Sequence, residues 1–169
     1  TNYLVKNLFI SLFLAIVLIS IFMAWIFNSF RMVVVSLIPN LIPLLLTASI
    51  MGYFGIAIKP STILVFSIAF GISVDDTIHF LAKYRQELKT TNNIRASVLA
   101  SIKETGVSMI YTSIVLFFGF FIFIASQFGG TIALGLLVSI TLLIAMLANL
   151  LVLPSLLLTL EKSINMQES

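Results

Sequence analysis

Two adjacent carboxylates, Asp75 and Asp76, occupy an otherwise apolar stretch of the sequence. Burial and like-charge repulsion both favour the protonated form of a carboxyl group, so two neighbouring carboxylates cannot easily both stay ionised. We therefore expect the pair to take up and release a proton near working pH, as a proton relay requires. His79 follows Asp75 by four residues and Asp76 by three, and can neighbour either on a helix. It either relays protons for the pair or tunes it, or it simply extends toward the polar boundary of the stretch.

A stripe of small and ionisable residues accompanies the pair if the stretch is helical. Ser67, Gly71, Asp75, His79 and Lys83 follow one another at four-residue steps. A helix turns about 400° over four residues, so the stripe drifts by about 40° per step and still forms one broad face. The small residues predict that a neighbouring helix can approach this face closely.

The composition of the chain requires a membrane. Of its 169 residues, 60% are hydrophobic and 9% are charged. A soluble domain has about 25% charged residues, so the bilayer must act as the solvent, and soluble enzyme classes are excluded. The sequence contains no cysteine. It also lacks metal-ligand spacing, a nucleophile triad and a phosphate-binding loop, so we expect no metal, no cofactor, no ATP hydrolysis and no nucleic-acid partner.

The predicted fold class is all-α, a polytopic membrane helical bundle, because backbone groups in lipid must be satisfied within helices. Five segments reach the ~20 residues that cross a ~30 Å hydrocarbon core. The expected helices are 8–27, 32–58, 62–81, 107–126 and 131–160. Short loops are expected at 28–31, 59–61 and 127–130, with a longer polar loop at 82–106. The transmembrane domain then covers 1–160, and 161–169 forms a C-terminal tail.

Lys and Arg residues predict the orientation. Five of them lie within 82–106, and helix alternation places Arg31 and Lys162 on the same side, with Lys6 and Lys59 opposite. Cytoplasmic loops carry such an excess, so we expect the C-terminus inside and the N-terminus outside. Within this loop, 93–105 is predicted to form a short amphipathic helix that keeps the connection at the membrane surface.

Several features leave a structural and a functional interpretation open. Pro39 and Pro43 should bend the second helix, which either shapes the bundle or provides a hinge. Thr112 should lie at the depth of the aspartates, where its hydroxyl either bonds to them or bonds back to its own helix. The structural alternative for Asp75 and Asp76 is a salt bridge that locks the bundle. No Lys or Arg lies within the five predicted spans, so we favour the functional interpretation.

The sequence resembles the resistance-nodulation-division (RND) superfamily, most closely its MMPL and Patched-like exporters, which share the sterol-sensing-domain helix arrangement. The resemblance covers nearly the whole chain, and its most specific part is the glycine-x-x-x-aspartate helix with a basic exit. It rests on Ile38-Pro39-Asn40-Leu41-Ile42-Pro43, on the stretch from Gly71 to Phe80, on Lys83-Tyr84-Arg85, on Thr112-Ser113, and on Leu153-Pro154-Ser155-Leu156-Leu157. Asn149 departs from the pattern, since many relatives are expected to carry an acidic residue there, and a secondary relay at that position would be absent.

The resemblance implies a protein of two pseudo-repeats. Each repeat carries a large extracytoplasmic domain after its first helix, and this chain resembles the five-helix set that follows such a domain. The short tail after the last helix is similar to that of the C-terminal repeat. Family members export lipids or other hydrophobic molecules, driven by protons that pass intramembrane aspartates, and by resemblance Asp75 and Asp76 take that role. The implied partners are membrane lipids, a hydrophobic or lipid-like substrate, and a matching helix set from an N-terminal half or a partner chain. The implied location is the bacterial cytoplasmic (inner) membrane.

Two other classes remain open at this point. One is a subunit of the SecD/SecF type, which assists protein translocation, although its aspartate-alanine-asparagine signature does not match Asp75-Asp76-Thr77. The other is a non-transporting lipid-sensing or assembly module. Such a module should tolerate loss of the aspartates, whereas a transporter should not.

Overall fold

The structure, a computed structural model, describes residues 2–27 and 30–165. Within these residues the chain is helical and contains no strand, which confirms the predicted all-α bundle. The helices are α1 (Asn2–Phe27), α2 (Phe30–Tyr53), α3 (Pro60–Thr91), α4 (Ile94–Ser101), α5 (Val107–Phe121), α6 (Gly129–Leu147) and α7 (Leu153–Asn165). In the described part of the chain, five helical segments are long and apolar enough to cross a membrane, since α4 joins α5 and α6 joins α7 through short helical turns.

Both of these joints, between α4 and α5 and between α6 and α7, are π-helical turns. The first π-turn (Ile102–Gly106) connects α4 to α5, and the second π-turn (Ala148–Val152) connects α6 to α7. A single turn of π-helix widens the backbone locally and often accompanies a functional site. The second π-turn lies inside an apolar run, so hydropathy does not distinguish it from the helices on either side. For this reason the sequence predicted one uninterrupted helix over 131–160.

The helix ends differ from the prediction where polar residues continue a helix. The third helix was expected to end at residue 81, but α3 runs to Thr91, and Asn92 ends it with a φ of 49°. The extension is rich in Lys, Arg, Gln and Glu, which are good helix formers in water. The predicted loop 82–106 is therefore largely helical. Asn93 caps α4 by accepting a hydrogen bond of 2.9 Å from the Ala96 amide.

The second helix ends earlier than expected, at Tyr53 rather than residue 58. Gly55 adopts a φ of 64°, and the Ile56 amide donates to the Met51 carbonyl at 2.9 Å. A left-handed glycine with this backbone bond is a common helix stop. Pro60 then begins α3, where its missing amide proton costs no helical hydrogen bond. Residues 28 and 29 of the predicted first loop, and 166–169 of the predicted tail, lie outside the described residues.

α3 is the central helix, since it packs against α2, α4 and α6. Two apolar cores lie along it. One surrounds Val65, Phe66 and Phe70, and the other surrounds Phe80 and Leu81 nearer its basic end. The predicted amphipathic helix contributes to the second core, because Val98 of α4 is fully buried there. The residues between the two cores, from Ser73 to Asp76, carry the polar groups.

Candidate functional site

α3 presents the first four residues of its predicted stripe on its exposed face, whereas the fifth, Lys83, is partly buried. Ser67, Gly71, Asp75 and His79 are all exposed, whereas Ser73 on the opposite face is fully buried. The side chains of Asp75 and His79 are each 71% exposed. An acidic side chain in a membrane helix faces either the interior of a bundle or a water-filled cavity, and among the five helices described here Asp75 borders a cavity. A chain with this arrangement exposes its acidic face to lipid unless other helices cover it.

Asp75 and His79, two of the three ionisable side chains of the stripe, lie close together. His79 Nε2 lies 3.6 Å from Asp75 Oδ1, one helical turn away. This distance exceeds the usual 2.7–3.2 Å range of an N–H···O hydrogen bond, so the contact is electrostatic. Asp76 is half-buried, between the exposed stripe and the packed face of α3. Together the three groups can hold a proton among two carboxylates and an imidazole, and the relay role of His79 stays a prediction.

A polar cavity of about 510 Å³ opens beside the pair. Asp75, Asp76 and His79 line it from α3, and Thr112 lines it from α5. Of the two interpretations of Thr112, the structure has the local one, since its hydroxyl lies 3.1 Å from the Ser108 carbonyl oxygen and 3.0 Å from that of Met109. Thr112 therefore borders the same space as the aspartates while donating to its own helix.

The basic residues that follow the pair are engaged elsewhere. Lys83 Nζ lies 3.1 Å from Glu87 Oε1 and 2.6 Å from Glu104 Oε2. Arg85 donates to the carbonyl oxygen of Ile26 at the end of α1. Lys83 and Arg85 thus bond to groups other than the aspartates. Neither residue makes the salt bridge that was considered for Asp75 and Asp76. This arrangement weakens the purely structural interpretation of the acid pair.

Behind the aspartates lies a hydrogen-bonded network that the sequence analysis missed. Its members are Asn40 of α2, Ser73 and Thr77 of α3, and Asn149 of the second π-turn, each at most 1% exposed. Because the four residues come from three separate segments, their bonds tie α2, α3 and the α6–α7 joint together at the level of the acid pair.

The network is internally satisfied. Ser73 donates to Asn40 Oδ1 at 2.6 Å, and the Thr77 hydroxyl lies 3.0 Å from the side-chain oxygens of both Asn40 and Asn149. The Asn40 amide donates to the Ser36 carbonyl at 2.7 Å, and the Asn149 amide donates to the Ser73 carbonyl at 3.1 Å. Among the side chains that the structure describes, no buried nitrogen or oxygen lacks a partner. Asn149 therefore has a neutral structural role at the position where an acidic residue was expected.

One sequence signal could have identified this network. Asn40 and Asn149 are amides inside apolar spans, where an unpaired polar group costs several kcal/mol, and Ser73 and Thr77 share one face at a spacing of four residues. Polar residues in such positions commonly bond to one another across helices. The spacing alone, however, does not say which helices meet.

The two prolines of α2 flank Asn40. Pro39 and Pro43 are both buried inside a helix that continues from Phe30 to Tyr53. Each lacks an amide proton, which leaves the carbonyl groups of Val35 and Pro39 without their usual helical donors. The backbone around Asn40, whose side chain bonds to α3, therefore has fewer helical hydrogen bonds. Both interpretations of the prolines, a bend that shapes the bundle and a hinge, still apply.

One known protein family matches almost the entire chain. A model of the MMPL family matches residues 1–168. No curated protein matches the chain. The family match includes all five membrane-crossing segments, and with them the acidic helix and the network behind it.

Proposed function

The chain belongs to the MMPL family, an RND-type family of transporters, and we propose that it forms the membrane part of a proton-driven exporter of lipids or other hydrophobic molecules. In this proposal Asp75 and Asp76 carry the protons. The observation that supports it most strongly is the position of the pair beside a polar cavity, with Asp75 exposed and Asp76 half-buried. An acid pair that only stabilised this bundle would instead lie in its packed interior, beside a cation.

A matching set of helices is proposed to cover the acidic face. A charged side chain at the centre of a bilayer costs about 2.5–3.5 kcal/mol on insertion scales, so Asp75 should not remain facing lipid. Ser67 and Gly71 continue its face and are small, which lets another helix approach closely. The partner set belongs to the same protein or to a second chain. Covering the face would also enclose the carboxylates between two sets of helices.

A hydrophobic cargo is supported by a second, apolar cavity. It has a volume of about 310 Å³ and lies near the α2–α3 connection, where residues of α1, α2 and α3 line it, among them Leu12, Leu44 and Phe66. A cavity of this chemistry accommodates an acyl chain or a similar apolar group. The same cavity would serve a lipid-sensing module, so the aspartates, and not this cavity, decide between that alternative and a transporter.

Vesicle transport tests the proposal. We expect the full protein, reconstituted into liposomes with an imposed pH gradient, to export a labelled lipid while protons flow in the opposite direction. A protonophore should abolish this export, and the 169-residue chain alone should transport nothing because its acidic face lacks a partner. Export that is indifferent to the protonophore, or export by the chain alone, would contradict the proposal.

The proposed orientation places the basic end of α3 in the cytoplasm of a bacterial cell, with the N-terminus outside and the C-terminus inside. Asn92 ends α3 and Lys59 precedes it, so the two residues lie at opposite ends of a 32-residue helix. A reporter that is active only in the cytoplasm should be active when fused at Asn92 and silent when fused at Lys59. The opposite pattern would overturn this orientation.

A further inference from the structure

The cavity beside the acid pair has two walls that meet near its basic end. One wall is α3 from Asp75 to Gln86, and the other consists of the first π-turn and the start of α5. Lys83 Nζ on α3 lies 2.6 Å from Glu104 Oε2 on the π-turn. Lys83 follows Asp75 by eight residues, which places this ion pair about 12 Å along the helix from the acid pair. The bond therefore crosses the cavity near its basic end and not beside the acid pair.

The ion pair can open without leaving a cation unpaired. The Lys83 side chain is only 18% exposed, but its ammonium group also lies 3.1 Å from Glu87 Oε1 on its own helix. If Glu104 moves away, Lys83 keeps Glu87, and the Glu104 side chain is already 68% exposed to solvent. Removing one partner of a buried pair is costly when it strands a charge, and here that cost does not arise. The contact is thus suited to repeated opening and closing.

Glu104 lies on a π-turn, and the end of this turn packs against the second π-turn. A π-turn interrupts the regular i→i+4 hydrogen bonding between α4 and α5 at this point. Gly106, at its end, packs so closely on the second π-turn that an added Cβ would lie 3.1 Å from Leu150 Cδ2. The back of the turn is therefore anchored, while Glu104 extends toward the cavity.

We propose that Lys83 and Glu104 form a latch across the basic end of the cavity, and that opening the latch admits water from that side to Asp75 and Asp76 once a matching set of helices covers the exposed face of α3. The control of water access and the movement of protons both rest on the proposed function, in which this face is covered. The ionisable groups that line this space are Asp75, Asp76, His79, Lys83 and Glu104. Among them, Lys83 and Glu104 join the two walls directly.

Thiol labelling tests the latch. The chain lacks cysteine, and Ser108 on α5 is exposed and lines the cavity. In a full protein without other cysteines, Ser108→Cys is treated with a small, charged, membrane-impermeant methanethiosulfonate from the basic side. Glu104→Gln should raise the labelling rate about fivefold, the size of effect expected for a partly exposed ion pair.

Glu87→Gln is the matched control, because it removes the same charge from the Lys83 partner that does not cross the cavity. It should not raise the rate, because opening the latch would then leave Lys83 without its second partner. The charge-swapped variant Lys83→Glu/Glu104→Lys should return the rate toward its original value. A cysteine at Val115, an exposed residue outside the cavity, controls for general loosening. An unchanged rate in Glu104→Gln, or an equal rise in Glu87→Gln, would overturn the latch.

A second measurement separates the latch from the proposed function. Passive proton leak through proteoliposomes should rise with Glu104→Gln, and adding Asp75→Asn should remove the extra leak but not the extra labelling. If the leak persists in the combined variant, the acid pair is not the proton route, while the labelling result still supports the latch. Labelling that fails to rise contradicts the latch even if export remains proton-driven.

Discussion

Asp75→Asn and Asp76→Asn are each expected to abolish proton-driven export while leaving the protein folded and inserted. Asn has nearly the size of Asp and can hydrogen-bond, but it cannot take up and release a proton. Loss of an essential proton-transfer group typically costs at least about a hundredfold in rate. The measurement is export by the full protein in vesicles, together with thermal stability in detergent. Asp75 should be the more sensitive, because it lies on the exposed face where another helix can approach.

The structure makes the stability half of this experiment informative. A locking salt bridge would strand its cation when the aspartate is neutralised, with a loss of about 3–5 kcal/mol. Lys83 and Arg85 have other partners, so no such loss is expected from either residue. Glu87→Gln, the same chemical change farther along α3, serves as the control and should retain export. Active aspartate variants would contradict the relay, and inactive but destabilised variants would favour the salt bridge.

Asn40→Leu should produce a large loss of stability among substitutions away from the acid pair. Asn40 Oδ1 accepts hydrogen bonds from Ser73 and Thr77, and its amide donates to the Ser36 carbonyl. Leucine fits an apolar span by hydropathy, but it would leave buried polar groups with fewer partners. Each such group costs about 1–3 kcal/mol, although Thr77 can still donate to the Ser73 carbonyl of its own helix. We therefore expect a net loss of about 1–3 kcal/mol.

Unfolding in detergent, or an equivalent measurement in bilayers, gives the size of this effect. Ser49→Ala is a suitable control on the same helix, because the Ser49 hydroxyl is exposed and donates to the Leu45 carbonyl of its own helix. It should change stability by less than about 0.5 kcal/mol. If Asn40→Leu is as stable as the control, the network does not hold α2 against α3. If Asn149→Leu is destabilising as well, the second π-turn belongs to the same unit.

The sequence alone determined the membrane location, the number of crossing segments and the acidic helix. These properties depend on local composition, since a run of about 20 apolar residues identifies a crossing regardless of what packs around it. Asp75, Asp76 and His79 are likewise evident from one helix, because their spacing places them within a single turn of each other. The boundaries were less accurate. Hydropathy shows where lipid ends, whereas the helical residues after position 81 continue α3 into polar surroundings.

Tertiary structure decided which face of α3 is packed, since Ser73 and Thr77 are fully buried while Asp75 is exposed. The network behind it joins residues that are 33, 37 and 72 positions apart, and the latch joins Lys83 to Glu104 across a helix and a turn. Hydrogen bonds and ion pairs of this kind form only when the helices pack against particular neighbours with particular rotations about their axes. A periodic pattern in one segment contains no information about either the neighbours or the rotations, so the acid pair could be read from the sequence while the groups that support it could not.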